Sequence, residues 1–175
     1  MRNYYLDLEF NQRVIDFENG HVVYDLISVG LVDEAGRTYY AVSNEFNLEA
    51  ARENEFVKDT VLPRLDMPES GRKTRAQIRK EILDFIGNEP DEKAFIHFWH
   101  IPQDWVLFSD LMSEGKLMQL PKNIINFPRN LTETWMTLGR PDVLPQVDSD
   151  KEHNSLVDAK WLAKVHEVLK AYRPS

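Results

Sequence analysis

The chain has 175 residues, 42% of them hydrophobic and 29% charged, which is enough to bury one core and too apolar for a disordered chain. It contains no cysteine, so disulfides, zinc–thiolate sites and thiol nucleophiles are excluded. The formal net charge of −8 argues against a broad basic nucleic-acid surface, but not against a site whose carboxylates carry divalent ions and so reverse the local field.

No apolar run approaches the ~20 residues of a membrane span. Met1-Arg2-Asn3-Tyr4-Tyr5 runs straight into a strand pattern, with no signal-peptide architecture. The expectation is a cytoplasmic protein with no membrane association, built as one domain over residues 1–175.

Residues 4–10, Tyr-Tyr-Leu-Asp-Leu-Glu-Phe, alternate and are rich in aromatics, which predicts a strand. Asn19-Gly20 marks a turn, 22–33 a long second strand, Glu34-Ala35-Gly36 another turn, and 37–43 a third strand. Together they read as an antiparallel meander. A helix is predicted over 48–61, ending before Pro63. Thr74-x-x-Gln77 has the form of a capping box, and Ile78, Ile82, Phe85 and Ile86 give one apolar face to a helix over 75–87. Residues 94–99 read as a buried strand, and Pro102 opens a helix to about 113. A short strand is expected near Ile124-Ile125, a helix over 131–138 and a Pro/Asp-rich loop over 140–151. Asn154 caps a final helix reaching about Tyr172. The order predicts an α/β fold with a mixed sheet and helices packed on it.

Asp7 and Glu9 lie two apart on the first strand and therefore share a face, with Leu6, Leu8 and Phe10 on the other. At ~3.3 Å rise per residue, two such carboxylates stand about 7 Å apart and can chelate or bridge divalent ions. By themselves they read more simply as the solvated face of an edge strand. Asp158 heads the helical stripe Leu162, Val165, Leu169, Tyr172; an inward carboxylate costs desolvation energy unless it is paired or metal-bound. Asp104 likewise heads the stripe Leu107, Phe108, Leu111. Taken singly, each is an ordinary acid at a helix start. Asp110 competes with Asp104, but at i+6 it falls off the apolar face. His153 lies in the loop just before the cap, and histidines titrate near neutrality. Taken singly, an exposed loop histidine needs no function. Together these residues form the inventory for two-metal phosphodiester hydrolysis.

At this point the chain resembles the DEDDh 3′–5′ exonucleases of the ribonuclease H-like fold. The resemblance rests on Asp7-Leu8-Glu9-Phe10, on an acid at a mid-chain helix start, and on His153-Asn154-Ser155-Leu156-Val157-Asp158-Ala159, an H-x-x-x-x-D-A signature. Its compact length is most similar to the small RNase T-like exoribonucleases. The resemblance implies a mixed five-stranded sheet flanked by helices. It also implies two Mg²⁺ ions, with Mn²⁺ as substitute, on Asp7, Glu9, Asp104 and Asp158, with His153 as general base. It further implies homodimers, and a substrate that is the 3′ end of single-stranded nucleic acid, RNA before DNA. Leu8, Phe10 and Trp105 are the candidate nucleotide-binding residues, Leu8 through its backbone amide and the aromatics by stacking; Trp99 is as readily core packing. Arg72, Lys73, Arg75, Arg79 and Lys80 form the densest basic cluster, for which a solvated helix face is the simpler reading. The alternatives are a DNA-directed 3′–5′ exonuclease and a catalytically inert binding module of the same fold.

Overall fold

The computed structural model describes residues 1–16, 18–87, 92–99, 101–114, 116 and 119–173. The sheet consists of β1 (Arg2–Asp16), β2 (His21–Asp33), β3 (Thr38–Val42), β4 (Ala94–Phe98) and β5 (Arg129–Asn130), in the order β3-β2-β1-β4-β5. The first three strands are antiparallel neighbours, whereas β1–β4 and β4–β5 pair in parallel. This mixed five-stranded sheet, flanked by helices, is a ribonuclease H-like fold.

Strand alternation decides what each face of the sheet carries. Tyr4, Leu6 and Leu8 of β1 pack with Ile78, Ile82 and Ile86 of α2 (Arg75–Ile86) and with Phe108, Leu111 and Met112 of α3 (Ile101–Ser113). On the other face, Tyr5 and Val32 meet Leu131 and the inward stripe Leu162, Val165 and Leu169 of α5 (Ser155–Ala171). Asp7 and Glu9 share this second face, beneath the start of α5. The capping box on α2 is present in full: Thr74 accepts from the Gln77 N–H, and the Gln77 side chain accepts from the Thr74 N–H.

What seats α5 over the acids is Gly30, the residue of β2 paired with Asp7. A Cβ there would lie 2.1 Å from the Ser155 carbonyl oxygen and 2.4 Å from the Leu156 nitrogen. Ser28, opposite Glu9, shares a buried 2.9 Å hydrogen bond between its hydroxyl and that of Ser155. Small residues at 28 and 30 thus let the helix backbone rest directly on the sheet.

Three elements differ from expectation. First, β1 continues to Asp16, although residues 11–16 lack apolar alternation. Both faces of that extension are largely open, and it is held by pairing with residues 21–25 and by the Arg13–Asp25 ion pair at 2.9 Å. Second, the helix expected over 48–61 breaks after α1 (Leu48–Glu53). Asn54 is extended, and its side chain accepts from the Val57 N–H and donates to the buried Asn11; such local bonds compete with a helical ladder. A π turn (Val57–Val61) and a 3-10 turn (Leu62–Arg64) follow. Third, Ile124 makes only a single bridge to Ala94, while β5 forms at Arg129–Asn130, beyond Pro128, which has no N–H to give a ladder. The strand leads into α4 (Leu131–Thr137).

Candidate active site

Asp7, Glu9, Asp104, His153 and Asp158 all line one cavity of about 490 Å³. β1 supplies the first two from the centre of the sheet. Asp104 enters from the first turn of α3, just beyond the end of β4, and Asp158 from the first turn of α5. Glu9 and Asp104 are each only 8% exposed, and Asp7 and Asp158 are half-buried.

The loop before α5 is held by a set of short bonds. The Asn154 side chain accepts from the Leu156 and Val157 N–H groups and donates to the Arg64 carbonyl at 2.8 Å. His153 sits in the left-handed region, φ 67, and its N–H donates to Asp158 Oδ2 at 2.8 Å. Its ring meets Phe56 edge-on at 5.0 Å. Among the described residues, Glu9, His153 and Asp158 form the one group whose ligand atoms all lie within 4.8 Å of one another. Asp7 and Asp104 complete the acidic wall of the same cavity without joining that closest group.

Such crowding shows in the proton affinities. Burial, and then the charges of Glu9, Asp104 and Asp158, hold the Asp7 carboxyl well above the usual carboxylate range. Glu9 is pushed up to about 8 by burial, Asp158 and Asp104, with Arg64 opposing. Burial lifts Asp104 to about 7. Asp158 rises to about 6 through burial, against the bond from the His153 N–H. A cluster of carboxylates that resists its own charge fits a hard divalent cation, which oxygen donors can hold.

A stability prediction follows. Unfolded carboxylates titrate near ~4, so between that value and about 8 the folded, metal-free protein binds more protons than the unfolded chain. Stability therefore falls as pH rises through this window. In EDTA, the melting temperature is expected to drop by roughly 5 °C or more between pH 5 and pH 8, and millimolar Mg²⁺ should restore it at pH 8. A flat or rising profile in EDTA would contradict this electrostatic picture.

The remaining residues named in the sequence divide. Leu8 and Phe10 line the cavity, as does Trp99, whose ring stands against Trp161 at 5.0 Å. Trp105 does not line it; its ring packs on Phe98 and Phe108 at 6.0 and 6.1 Å. Asp110 lies on the surface, paired with Arg75 at 2.7 Å. The basic cluster is taken up by neighbours: Lys73 pairs with Glu81, Arg79 with Glu114 and Lys80 with Asp84. Phe56, Asn54, Gln103 and Trp161 are lining residues that the sequence did not single out. Trp161 could have been found, since it is one helical turn from Asp158; Phe56 carries no local signal.

No family model matches the chain. It is similar to curated 3′-5′ exoribonucleases of Mycobacterium tuberculosis from strain CDC 1551 / Oshkosh and strain ATCC 25618 / H37Rv. Each is 35% identical over 158 residues, covering 90% of this chain and 86% of the relative.

Proposed function

The chain belongs to the family of these 3′-5′ exoribonucleases, and from that premise we propose that it is itself a 3′–5′ exoribonuclease of the DEDDh type, releasing nucleoside monophosphates from the 3′ end of single-stranded RNA. The observation that carries this reading is the convergence of Glu9, His153 and Asp158 within 4.8 Å, in a cavity also walled by Asp7 and Asp104. The RNA preference rests on the relatives' names, and the likeness to the small RNase T-like enzymes on overall compactness. In this reading residues 1–175 work as one cytoplasmic domain, paired as a homodimer. Among the described residues, no helix is long and apolar enough to cross a membrane.

Asp7, Glu9, Asp104 and Asp158 would hold two Mg²⁺ ions, with Mn²⁺ able to replace them. When bound, such ions supply an activated water and charge neutralisation on the scissile phosphate. The protein's own residues do the rest. His153, held at its left-handed position and packed on Phe56, accepts the proton of the attacking water. The Leu8 amide, Phe10 and Trp99 line the space for the terminal nucleotide, where an aromatic stack is worth ~1–3 kcal/mol per base. The Asn154 bonds fix the loop so that His153 and Asp158 keep their mutual geometry.

The direct test incubates 5′-labelled single-stranded RNA and matched DNA with Mg²⁺, Mn²⁺ or EDTA. A metal-dependent ladder shortening from the 3′ end, faster on RNA, is the expected result. Faster cutting of DNA would reassign the substrate, and intact RNA and DNA in every lane, with folded protein, would refute an exonuclease acting on simple single strands.

His153→Ala is expected to lower kcat by roughly 10²-fold or more while leaving the Mg²⁺ concentration for half-maximal rate within about twofold, because a proton acceptor is not needed to hold the ion. A large rise in that Mg²⁺ requirement would instead make the imidazole a ligand.

A further inference from the structure

Four carboxylates suffice for the proposed pair of ions, yet the cavity holds a fifth. Glu152 lines it together with Asp7, Glu9, Asp104 and Asp158, and no Lys or Arg is among its described lining residues. Glu152 stands outside the group of ligand atoms within 4.8 Å of one another that Glu9, His153 and Asp158 make. The four acids on β1, α3 and α5 balance two divalent ions, so the charge of Glu152 is left over. Nothing in the proposed hydrolysis uses it.

The backbone at this residue is held, and its carboxylate is not. The Lys151 and Glu152 N–H groups both donate to the Asp148 carbonyl at 2.9 Å, and Lys151 Nζ pairs with Asp148 at 3.0 Å. On the other side the His153 N–H donates to Asp158 Oδ2 at 2.8 Å. Earlier in the loop, the Trp161 indole N–H donates to the Pro145 carbonyl at 2.9 Å. Glu152 is half-buried. Among the described residues its carboxylate has no hydrogen bond and no ion pair. The charge it meets is that of Asp158, whose carboxyl is raised first by burial and then also by Glu152.

In the free protein, water solvates such a carboxylate. A nucleotide entering the cavity displaces that water, and a carboxylate accepts hydrogen bonds but donates none. The phosphates of the substrate, being anions, are repelled. Binding at this wall is therefore disfavoured unless the nucleotide presents a neutral donor. An exonuclease has to accept all four bases, whose edge donors differ from base to base. The donor common to every ribonucleotide, and missing from every deoxyribonucleotide, is the 2′-hydroxyl. The adjoining His153 is assigned to the attacking water, which sets residue 152 beside the sugar and phosphate rather than out along the base.

We propose that Glu152 selects RNA over DNA at the 3′ end, its carboxylate accepting a hydrogen bond from the 2′-hydroxyl of the terminal ribose. Within the exoribonuclease reading, on which this rests, Glu152 is a specificity determinant with two effects. A ribose supplies the bond, and a 2′-deoxy sugar leaves a desolvated carboxylate unmatched.

The test measures kcat/KM for removal of the last nucleotide from RNA oligomers in saturating Mg²⁺. The oligomers differ only in whether the terminal sugar is ribose or 2′-deoxyribose, and each is made with all four terminal bases. Wild type is expected to favour the ribose end by about 10-fold or more. In Glu152→Ala that preference should shrink to within about twofold, equally for all four bases. Glu152→Gln should fall between, because its amide oxygen still accepts but carries no charge. A melting curve in EDTA should place Glu152→Ala at or above the wild type, since a repulsion with Asp158 is removed and no bond is lost. No preference in the wild type, a preference unchanged in Glu152→Ala, or a collapse confined to some bases would each overturn the assignment. So would an equal loss of rate on both ends with the preference intact, which would make Glu152 a support for His153. If the wild type shortens neither oligomer, the exonuclease reading itself fails. If it shortens both and only the ratios disagree, that reading stands and the role of Glu152 alone is lost.

Discussion

Asp7→Asn is expected to lower kcat on RNA by roughly 10³-fold or more while leaving the metal-free protein as stable as the wild type or more so. The two halves have different causes. In the proposed mechanism Asp7 is a metal ligand, and removing one ligand from a paired-metal site forfeits several kcal/mol of transition-state stabilisation, at ~1.4 kcal/mol per tenfold in rate. In the absence of metal the same carboxyl is an electrostatic liability, since burial and three neighbouring carboxylates hold it well above its usual range. An amide of the same shape relieves that repulsion. Steady-state kinetics and a melting curve in EDTA at pH 8 check the pair of effects. Activity within tenfold of wild type would remove Asp7 from the site. Lost activity accompanied by a clear loss of stability would show that the residue serves the fold instead.

The largest expected effect on stability is at Gly30. Gly30→Ala places a methyl 2.1 Å from one backbone atom of α5 and within 2.4 Å of two others. No rotamer change can clear a backbone, so the helix must lift from the sheet. Overpacking of a well-filled core costs about 1–3 kcal/mol, and here the upper end or beyond is expected, ~3 kcal/mol or a fall of roughly 6–12 °C in Tm. Because the lifted turn carries Asp158 and borders His153, activity should fall further than stability explains. Gly71→Ala is the control: its Cβ would press only on the Met67 side chain, at 3.1 Å, which can yield, with Pro68 Cδ in ordinary contact at 3.9 Å. Urea midpoints of the two variants decide the matter. If Gly30→Ala unfolds at the same midpoint as Gly71→Ala, the close seating of α5 is wrong.

The acids were legible in the sequence because each sits where a regular period exposes it. Alternation put Asp7 and Glu9 on one face of β1, and 3.6-residue periodicity put Asp104 and Asp158 at the heads of apolar stripes. The cap at Asn154 and the capping box at Thr74 are equally local, and both are formed. Elements whose existence depends on a partner strand were harder. The far half of β1 has no apolar pattern because beyond the buried Asn11 both its faces are largely open, and β5 is a two-residue strand that only the neighbouring β4 defines.

By itself, the sequence determined the α/β architecture, the main strands and helices that carry the acids, and the residue types available for metal and proton chemistry, since all of these follow from short-range periodicity and composition. Only the tertiary structure decided which residues meet. It turned Trp105 onto Phe98 and Phe108 at the edge of the core and brought Phe56 onto His153. It gave the basic cluster over to ion pairs. It showed that Gly30 is the seat of α5. Those facts depend on contacts between residues far apart in the chain, and a one-dimensional period cannot encode the distance between them.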